Sequence, residues 1–417
     1  MKSRQPFATV LALAVFIFLA ALISCGEDES DDDDDQASDD DIDGDNDDDG
    51  PPYPFDEPEI VDVFESRDGR YPIYRIPALI TTSSGTLLAF AEGRQSILDH
   101  SENDMVLRRS TDSGFTWEPH QVIAEAGSHC LSDPMPVQIA VGPNAGRILF
   151  FYTFFPEGCH HTCVQPGYDG PQNSKNFLLT SDDEGLTWQG PIELTRTFRP
   201  ESIRYVTGGP GFAIQKRLEP NAGRIVLPFR QADPMQVLAI YSDDGGQTWL
   251  RGEVADDSQT DGTGNEVQIA ETADGSLYLN SRNSKGHKLR KIARSFDGGE
   301  TWTPLADDEN LVEPQCMASV LQFSGLTDGD ISRLLYSGPN NQVARIFGEI
   351  RLSYDGGETW PVSKIVYPGI FAYSVLTRID CETAGVLFED DIRLHRLRLA
   401  RFSIEWLTDG TGRPLCE

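Results

Sequence analysis

Ser110-Thr-Asp-Ser-Gly-Phe-Thr-Trp117 returns four times along the chain: Ser181-Asp-Asp-Glu-Gly-Leu-Thr-Trp188, Ser242-Asp-Asp-Gly-Gly-Gln-Thr-Trp249, Ser295-Phe-Asp-Gly-Gly-Glu-Thr-Trp302 and Ser353-Tyr-Asp-Gly-Gly-Glu-Thr-Trp360. The shared pattern, S-x-D-x-G-x-T-W, holds five of the chain's six tryptophans, a concentration that chance does not produce. Successive octets start 71, 61, 53 and 58 residues apart. A mean spacing near sixty suits a four-stranded propeller blade with generous loops. Each octet reads as a hairpin turn. The aspartate accepts nearby backbone N–H groups, the glycine supplies a positive φ, and the tryptophan buries a large ring beneath the turn.

Working outward, the runs Arg147–Phe155, Arg224–Phe229, Val237–Tyr241, Ser276–Asn280 and Ile331–Tyr336 are rich in β-branched and aromatic residues and read as strands. No stretch keeps a 3.6-residue period over an ordinary helix length. Residues 58–406, divided by the octet spacing, come to just under six units. The expectation is an all-β chain, a six-bladed β-propeller over residues 58–417, with its last blade closed by strands from both ends. A sixth octet is missing, so that closure is inferred.

The 417 residues carry 67 Asp+Glu against 34 Lys+Arg, a formal charge of −33. Nucleic-acid binders neutralise phosphates with basic side chains, so this balance excludes that class. Residues 26–50 hold 16 of the acids and no base. Such a stretch cannot bury a core and repels itself, so residues 25–57 read as an extended tether. Its alternating Asp41, Asp43, Asp45 and Asp47 lack the glutamate that would complete a calcium loop.

Upstream, Lys2 and Arg4 precede an apolar run of 17 residues, Phe7–Ile23, the layout of an export signal. Leu22-Ile-Ser-Cys25 resembles the bacterial lipobox. The resemblance implies that residues 1–24 are a lipoprotein signal peptide and that Cys25 is lipidated. The mature protein is then expected as an exported lipoprotein at the outer membrane or cell surface, touching the membrane only through that lipid.

Six cysteines remain: Cys130, Cys159, Cys163, Cys316, Cys381 and Cys416. An even number in an exported chain suggests up to three disulfides, in any of 15 pairings. Cys159-His-His-Thr-Cys163 crowds too many ligands together for a structural zinc and reads as a disulfide-pinned loop.

A second set of residues carries chemistry. Tyr74-Arg-Ile-Pro77 precedes the first octet, and Glu92-Gly-Arg94 leads into a loop with Asp99, Glu102 and Asp104. Downstream lie Asn265-Glu266, Arg282, Arg345 and Ala372-Tyr373. Over about residues 60–405 the octets, which look like the Asp boxes of the sialidase superfamily, and the order of these residues resemble the bacterial exo-α-sialidases. The resemblance implies that Arg75, Arg282 and Arg345 bind the substrate carboxylate and that Arg94 contacts the outer hydroxyls. It makes Tyr373 the nucleophile, Glu266 its partner and Asp99 the acid/base. Asp133 and the Thr207–Gly211 turn are expected to border the pocket.

These residue types suit a sialoside, whose anomeric carbon bears a carboxylate. Planar guanidiniums hold that carboxylate bidentately. A neutral phenol approaches the anionic centre where a carboxylate nucleophile would be repelled. The implied reaction is retaining hydrolysis of terminal sialic acids through a covalent tyrosyl-enzyme, with no metal or other cofactor. Partners are expected to be sialylated glycoproteins, glycolipids or oligosaccharides met by a monomer. The alternatives are a trans-sialidase, and a non-catalytic glycan-binding propeller at the cell surface.

Overall fold

The computed structural model describes residues 58–66, 68–390, 396–412, 414 and 416. The expected signal peptide, the expected tether and Cys25 lie outside the described residues.

Antiparallel hydrogen bonding organises the chain into sheets. Tyr205–Gly208, Ile225–Ala232, Gln236–Ser242 and Leu250–Val254 form one, with the short Ile214–Gln215 added to its second strand. Gly264–Glu271, Leu277–Asn283, Leu289–Ser295 and Ala306–Val312 form the next. Ser319–Ser324, Arg333–Pro339, Ile346–Ser353 and Val362–Ile370 follow. Another sheet takes Ser374–Arg378, Thr383–Glu389 and Leu397–Ser403, and its fourth strand is Glu59–Phe64 from the other end of the chain. The expected pairing of the two ends is therefore present.

Among the described residues hydrogen bonding gives five sheets rather than six, because one has eight strands. Within it Ile73–Thr81, Leu87–Arg94, Asn103–Ser110 and Gln121–Ala124 make one antiparallel run. Cys130–Gln138, Ile148–Phe155, Lys175–Ser181 and Gln189–Glu193 make a second. A single parallel pairing, Asn103 with Cys130, joins the two runs.

Each sheet packs face to face on the next, so its second strand is buried on both sides. Leu87–Arg94, Ile225–Ala232 and Arg333–Pro339 are buried at every residue, while the outer Gln189–Glu193 is exposed throughout. The apolar clusters record these contacts in order. Phe151 and Leu178 meet Val206 and Leu227, Val226 and Ala239 meet Val267 and Leu277, and Tyr278 meets Val320 and Leu334. Leu335 and Ile350 then meet Val386 and Phe402, and Leu387 and Leu399 return to Leu79 and Phe90. The sheets thus close into a ring, an all-β propeller.

Every octet joins a third strand to the fourth. Its aspartate accepts the backbone N–H of the octet's threonine, at 2.8 Å for Asp183 and 3.0 Å for Asp297. The fifth residue is glycine with φ from +81° (Gly185) to +94° (Gly299, Gly357), a conformation strained for other residues. The missing sixth octet has a topological cause. The last sheet's outer strand comes from the N-terminal end, so Leu397–Ser403 leads into a short helix, Ile404–Leu407, instead of a hairpin.

The cysteines fall short of three bridges. Cys159–Cys163 closes the expected loop and Cys381 pairs with Cys416. Cys130 and Cys316 are buried thiols in separate apolar clusters, so they do not meet.

Candidate active site

In an antiparallel sheet the start of the first strand lies beside the end of the second. Arg75, Asp133 and Glu266 stand within the first four residues of first strands and Tyr373 just before one, while Arg94, Arg230, Arg282 and Glu389 stand within the last three residues of second strands. The topology alone gathers them on one rim of the ring. Register shifts in the first strands at Arg75/Ala78, Ser132/Met135 and Gly264/Val267 mark bulges, devices that re-aim side chains. Ile76 and Asp133 adopt φ of +57° and +59° there, which costs about 1–3 kcal/mol each.

A cavity of about 210 Å³ opens on this rim, walled by Arg94, Asp99, Asp133, Arg230, Glu266, Arg282 and Tyr373, with His160, His161 and Tyr205 at its side. A larger one, about 320 Å³, lies among Leu79, Val137, Phe212 and Leu376, where the first strands end, away from these charges.

At the cavity's centre the Tyr373 hydroxyl donates to Glu266 Oε1 in a very short contact, and Arg282 Nη1 stands 3.1 Å from the same hydroxyl. Arg282 Nη1 also donates to Glu266 Oε2 at 2.8 Å. Burial pushes the Tyr373 phenol well above its ordinary range and Glu266 adds to that, against Arg282, Arg345 and Arg75. Burial would raise Glu266 too, but Arg282 and Arg230 outweigh it and hold the carboxyl below its usual value. A neutral phenol therefore faces an ionised carboxylate.

Arg75 and Arg345 place their guanidinium carbons 5.5 and 5.3 Å from the Tyr373 ring centre. Arg75 is anchored bidentately by Glu389, at 3.1 and 3.2 Å, and the Ile76 N–H donates to the same carboxylate at 3.0 Å. Arg345 donates to the Gln315 carbonyl at 3.0 Å and has no carboxylate partner among the described residues. Among the described residues both side-chain hydrogen bonds of Arg282 come from Nη1. The three arginines thus keep donors for an incoming carboxylate beside the phenol.

Asp99 lies on the loop after Leu87–Arg94 and is half exposed. Its Oδ1 accepts from Arg94 Nη1 at 3.0 Å and lies 3.8 Å from Arg75 Nη1. Burial works to raise its carboxyl, but Arg94, with His160 and Arg75, brings it below the ordinary range. Arg94 is itself held from behind by the fully buried Glu92, whose Oε2 accepts from Arg94 Nε at 2.8 Å. Glu102 on the same loop and Asp104, which falls in the strand Asn103–Ser110 rather than in the loop, do not line the cavity, and Asp104 accepts from the Tyr71 hydroxyl at 2.7 Å.

All seven site residues expected in the described part of the chain thus converge, and Asp133 lines the cavity as expected. The Thr207–Gly211 turn contributes differently. Thr207 Oγ1 donates to Asp133 Oδ2 at 2.6 Å, while Pro210 accepts from Gln268 Nε2 at 2.9 Å, so the turn buttresses the wall from behind. Sequence reasoning missed Glu92, Arg230 and Glu389. Arg230 sits one residue beyond the run read as a strand at Arg224–Phe229, and its second-strand position, shared with Arg94, Arg282 and Glu389, was the available signal.

Residues 85–381 match the family described as the BNR repeat-like domain. A sialidase of Micromonospora viridifaciens is 36% identical over 358 residues, 82% of this chain. The chain spans 53% of that relative's length. Among solved structures, the Hadza microbial sialidase Hz136 superposes with a TM-score of 0.71 at 28% identity, covering 82% of this chain and 68% of that one. The intramolecular trans-sialidase from Ruminococcus gnavus shares the fold, with a TM-score of 0.72 at 22% identity over 82% of this chain and 97% of that one. With the Asp-box turns, the ring of sheets and the arginine-lined rim already in place, these likenesses settle the family: the chain belongs to the bacterial sialidases with BNR repeats.

Proposed function

We propose that the protein is a retaining exo-α-sialidase that hydrolyses terminal sialic acids through a covalent tyrosyl intermediate. The observation that carries the reading is the hydrogen bond from the Tyr373 hydroxyl to the Glu266 carboxyl group, with Arg75, Arg282 and Arg345 beside it. The guanidiniums take the sugar's carboxylate and so place the anomeric carbon against the phenol oxygen. As the Tyr373 oxygen bonds that carbon, its proton passes to Glu266 Oε1. The glycosidic C–O bond breaks, and the leaving oxygen takes a proton from Asp99. Asp99 then removes a proton from water, which attacks the anomeric carbon and frees Tyr373, whose oxygen recovers the proton from Glu266.

Asp99 must be protonated to act first, and the neighbouring arginines oppose this in the free site. The bound sialoside's own carboxylate partly neutralises Arg75 and restores basicity to Asp99, so a mildly acidic optimum is expected. The propeller is read as six-bladed, the eight-stranded sheet counting as two blades joined at Asn103–Cys130. The natural substrates are read as sialylated glycoconjugates, met by an exported, monomeric lipoprotein tethered through Cys25; the lipobox-like Leu22–Cys25 supports that address.

Turnover of a fluorogenic sialoside, followed by proton NMR, tests the function. The expected first product is free sialic acid in its α-anomer. The β-anomer, a transferred or internally cyclised sugar, or binding without turnover would each replace this reading.

A further inference from the structure

The reaction above gives no role to Arg230, a buried cation of the cavity wall. We propose that Arg230 is a positioning residue for the proton transfer: it holds Glu266 Oε1 in line with the Tyr373 hydroxyl and sets the acidic limit of the reaction. This rests on the assignment of Tyr373 and Glu266 made above.

The two oxygens of Glu266 are held by different groups. Oε2 accepts from Arg282 Nη1 at 2.8 Å. Oε1 receives the Tyr373 hydroxyl and faces Arg230 Nη1 at 3.2 Å. Arg230 is therefore the cation at the oxygen that takes the proton. Its own place is over-determined: Nη1 donates to Asn265 Oδ1 at 2.9 Å and Nη2 to Asp133 Oδ2 at 3.1 Å. Asp133 is pinned in turn by Thr207 Oγ1 at 2.6 Å and through its backbone N–H to Glu92 Oε1 at 2.9 Å. Asp133, Arg230 and Glu266 stand on three successive strand runs of the ring, so this guanidinium ties adjoining sheets together at the depth of the nucleophile.

The electrostatic consequence has a definite sign. Glu266 is buried among Arg282, Arg230 and Tyr373, with the Asp133 carboxylate and the Cys316 thiol also acting in this neighbourhood. Without Arg230, desolvation and the Asp133 charge favour the protonated acid, which cannot take the proton from Tyr373. Arg230 weakens Glu266 as a base while guaranteeing that it stays ionised in acid, where Asp99 is protonated. The covalent steps remain those already described, with the proton moving from the Tyr373 oxygen to Glu266 Oε1 and back.

The test measures pH profiles of kcat and KM for Arg230→Met, Arg230→Lys and Asp133→Asn in the full chain on a fluorogenic sialoside, with thermal melts and Tyr373→Phe alongside. For Arg230→Met the expected result is a fall in kcat of about tenfold or more, with KM changed less than kcat. Its acidic limb should move up by about one pH unit or more. Arg230→Lys should return the limb most of the way, since it restores the charge without the fork. Asp133→Asn removes a competing anion and should move the limb down. That variant decides the matter if Arg230→Met fails to fold. A uniform loss with the limb unmoved, a lysine no better than methionine, or an upward shift in Asp133→Asn would each overturn the proposal. An inactive Tyr373→Phe beside an unmoved limb removes only the role of Arg230, whereas an active Tyr373→Phe removes the reading on which it rests.

Discussion

At the outer turns, Asp112, Asp183, Asp244, Asp297 and Asp355 each accept a hydroxyl two residues earlier and both the N–H and hydroxyl of a threonine four residues later. At the inner rim, Glu389 binds Arg75 from 314 positions away and Glu266 accepts from Tyr373 across 107. Both regions lower carboxyl groups below their ordinary range, by different means. The Thr116 side chain, then its backbone N–H, holds exposed Asp112 down at about 2. Glu266 is held down against its own burial by Arg282 and Arg230. The turns are self-sufficient and repeat, so their loss weakens structure. The rim is a chain of alternating charge assembled once, so its loss removes chemistry.

Substitutions separate the two regions. Tyr373→Phe should lower kcat on the order of 10³-fold or more while the thermal midpoint stays near that of the parent. A variant retaining a tenth of the activity would assign the nucleophile elsewhere. Next in size is Glu389→Gln, which leaves Arg75 without its bidentate anchor and should lower kcat/KM by about 10²-fold, in keeping with about 1.5–3 kcal/mol for a hydrogen bond to a charged group. Inhibition by free sialic acid should weaken in parallel; inhibition as tight as the parent's would disconnect Glu389 from carboxylate binding.

Asp99→Ala divides by leaving group. An alkyl sialoside should lose about 10²-fold or more and a nitrophenyl sialoside only a small part of that, because nitrophenolate departs without protonation. Equal losses on both would exclude Asp99 as the acid. The smallest effect belongs to the turns: Asp355→Ala should cost about 1–2 kcal/mol in urea unfolding and leave kcat/KM unchanged. The pH sign at the turns follows from Asp112 and Asp244, both held at about 2. Their contribution is full above the unfolded value of about 4 and is lost as pH falls through 2. A marked loss of turnover in Asp355→Ala would mean the turns and the rim are coupled.

How much could be read before folding follows the same division. The octets are legible because every bond of Asp112 lies within four residues of it, so the local string encodes the turn. Arg75, Arg94, Asp99, Glu266, Arg282, Arg345 and Tyr373 were found only as a set, through resemblance, since no one of them carries a local signature. Glu92, Arg230 and Glu389 escaped because a buried counter-ion is recognisable only beside its partner. Asn103–Cys130, the bridge that merges two strand runs into one sheet, is likewise a single pairing without a pattern.

From its residues alone the chain is committed to β-structure, to a sixty-residue repeat and to an acidic balance that excludes nucleic acid. These are properties of composition and of bonds spanning a few positions, and they survive in any arrangement of the sheets. Folding alone decided that first-strand starts and second-strand ends share a rim, and that Cys130 and Cys316 stay apart. It also decided that Glu266 lies between two guanidiniums with a phenol against one oxygen. Such contacts join residues far apart in the chain, and their electrostatics depend on burial, which exists only once the ring of sheets has closed.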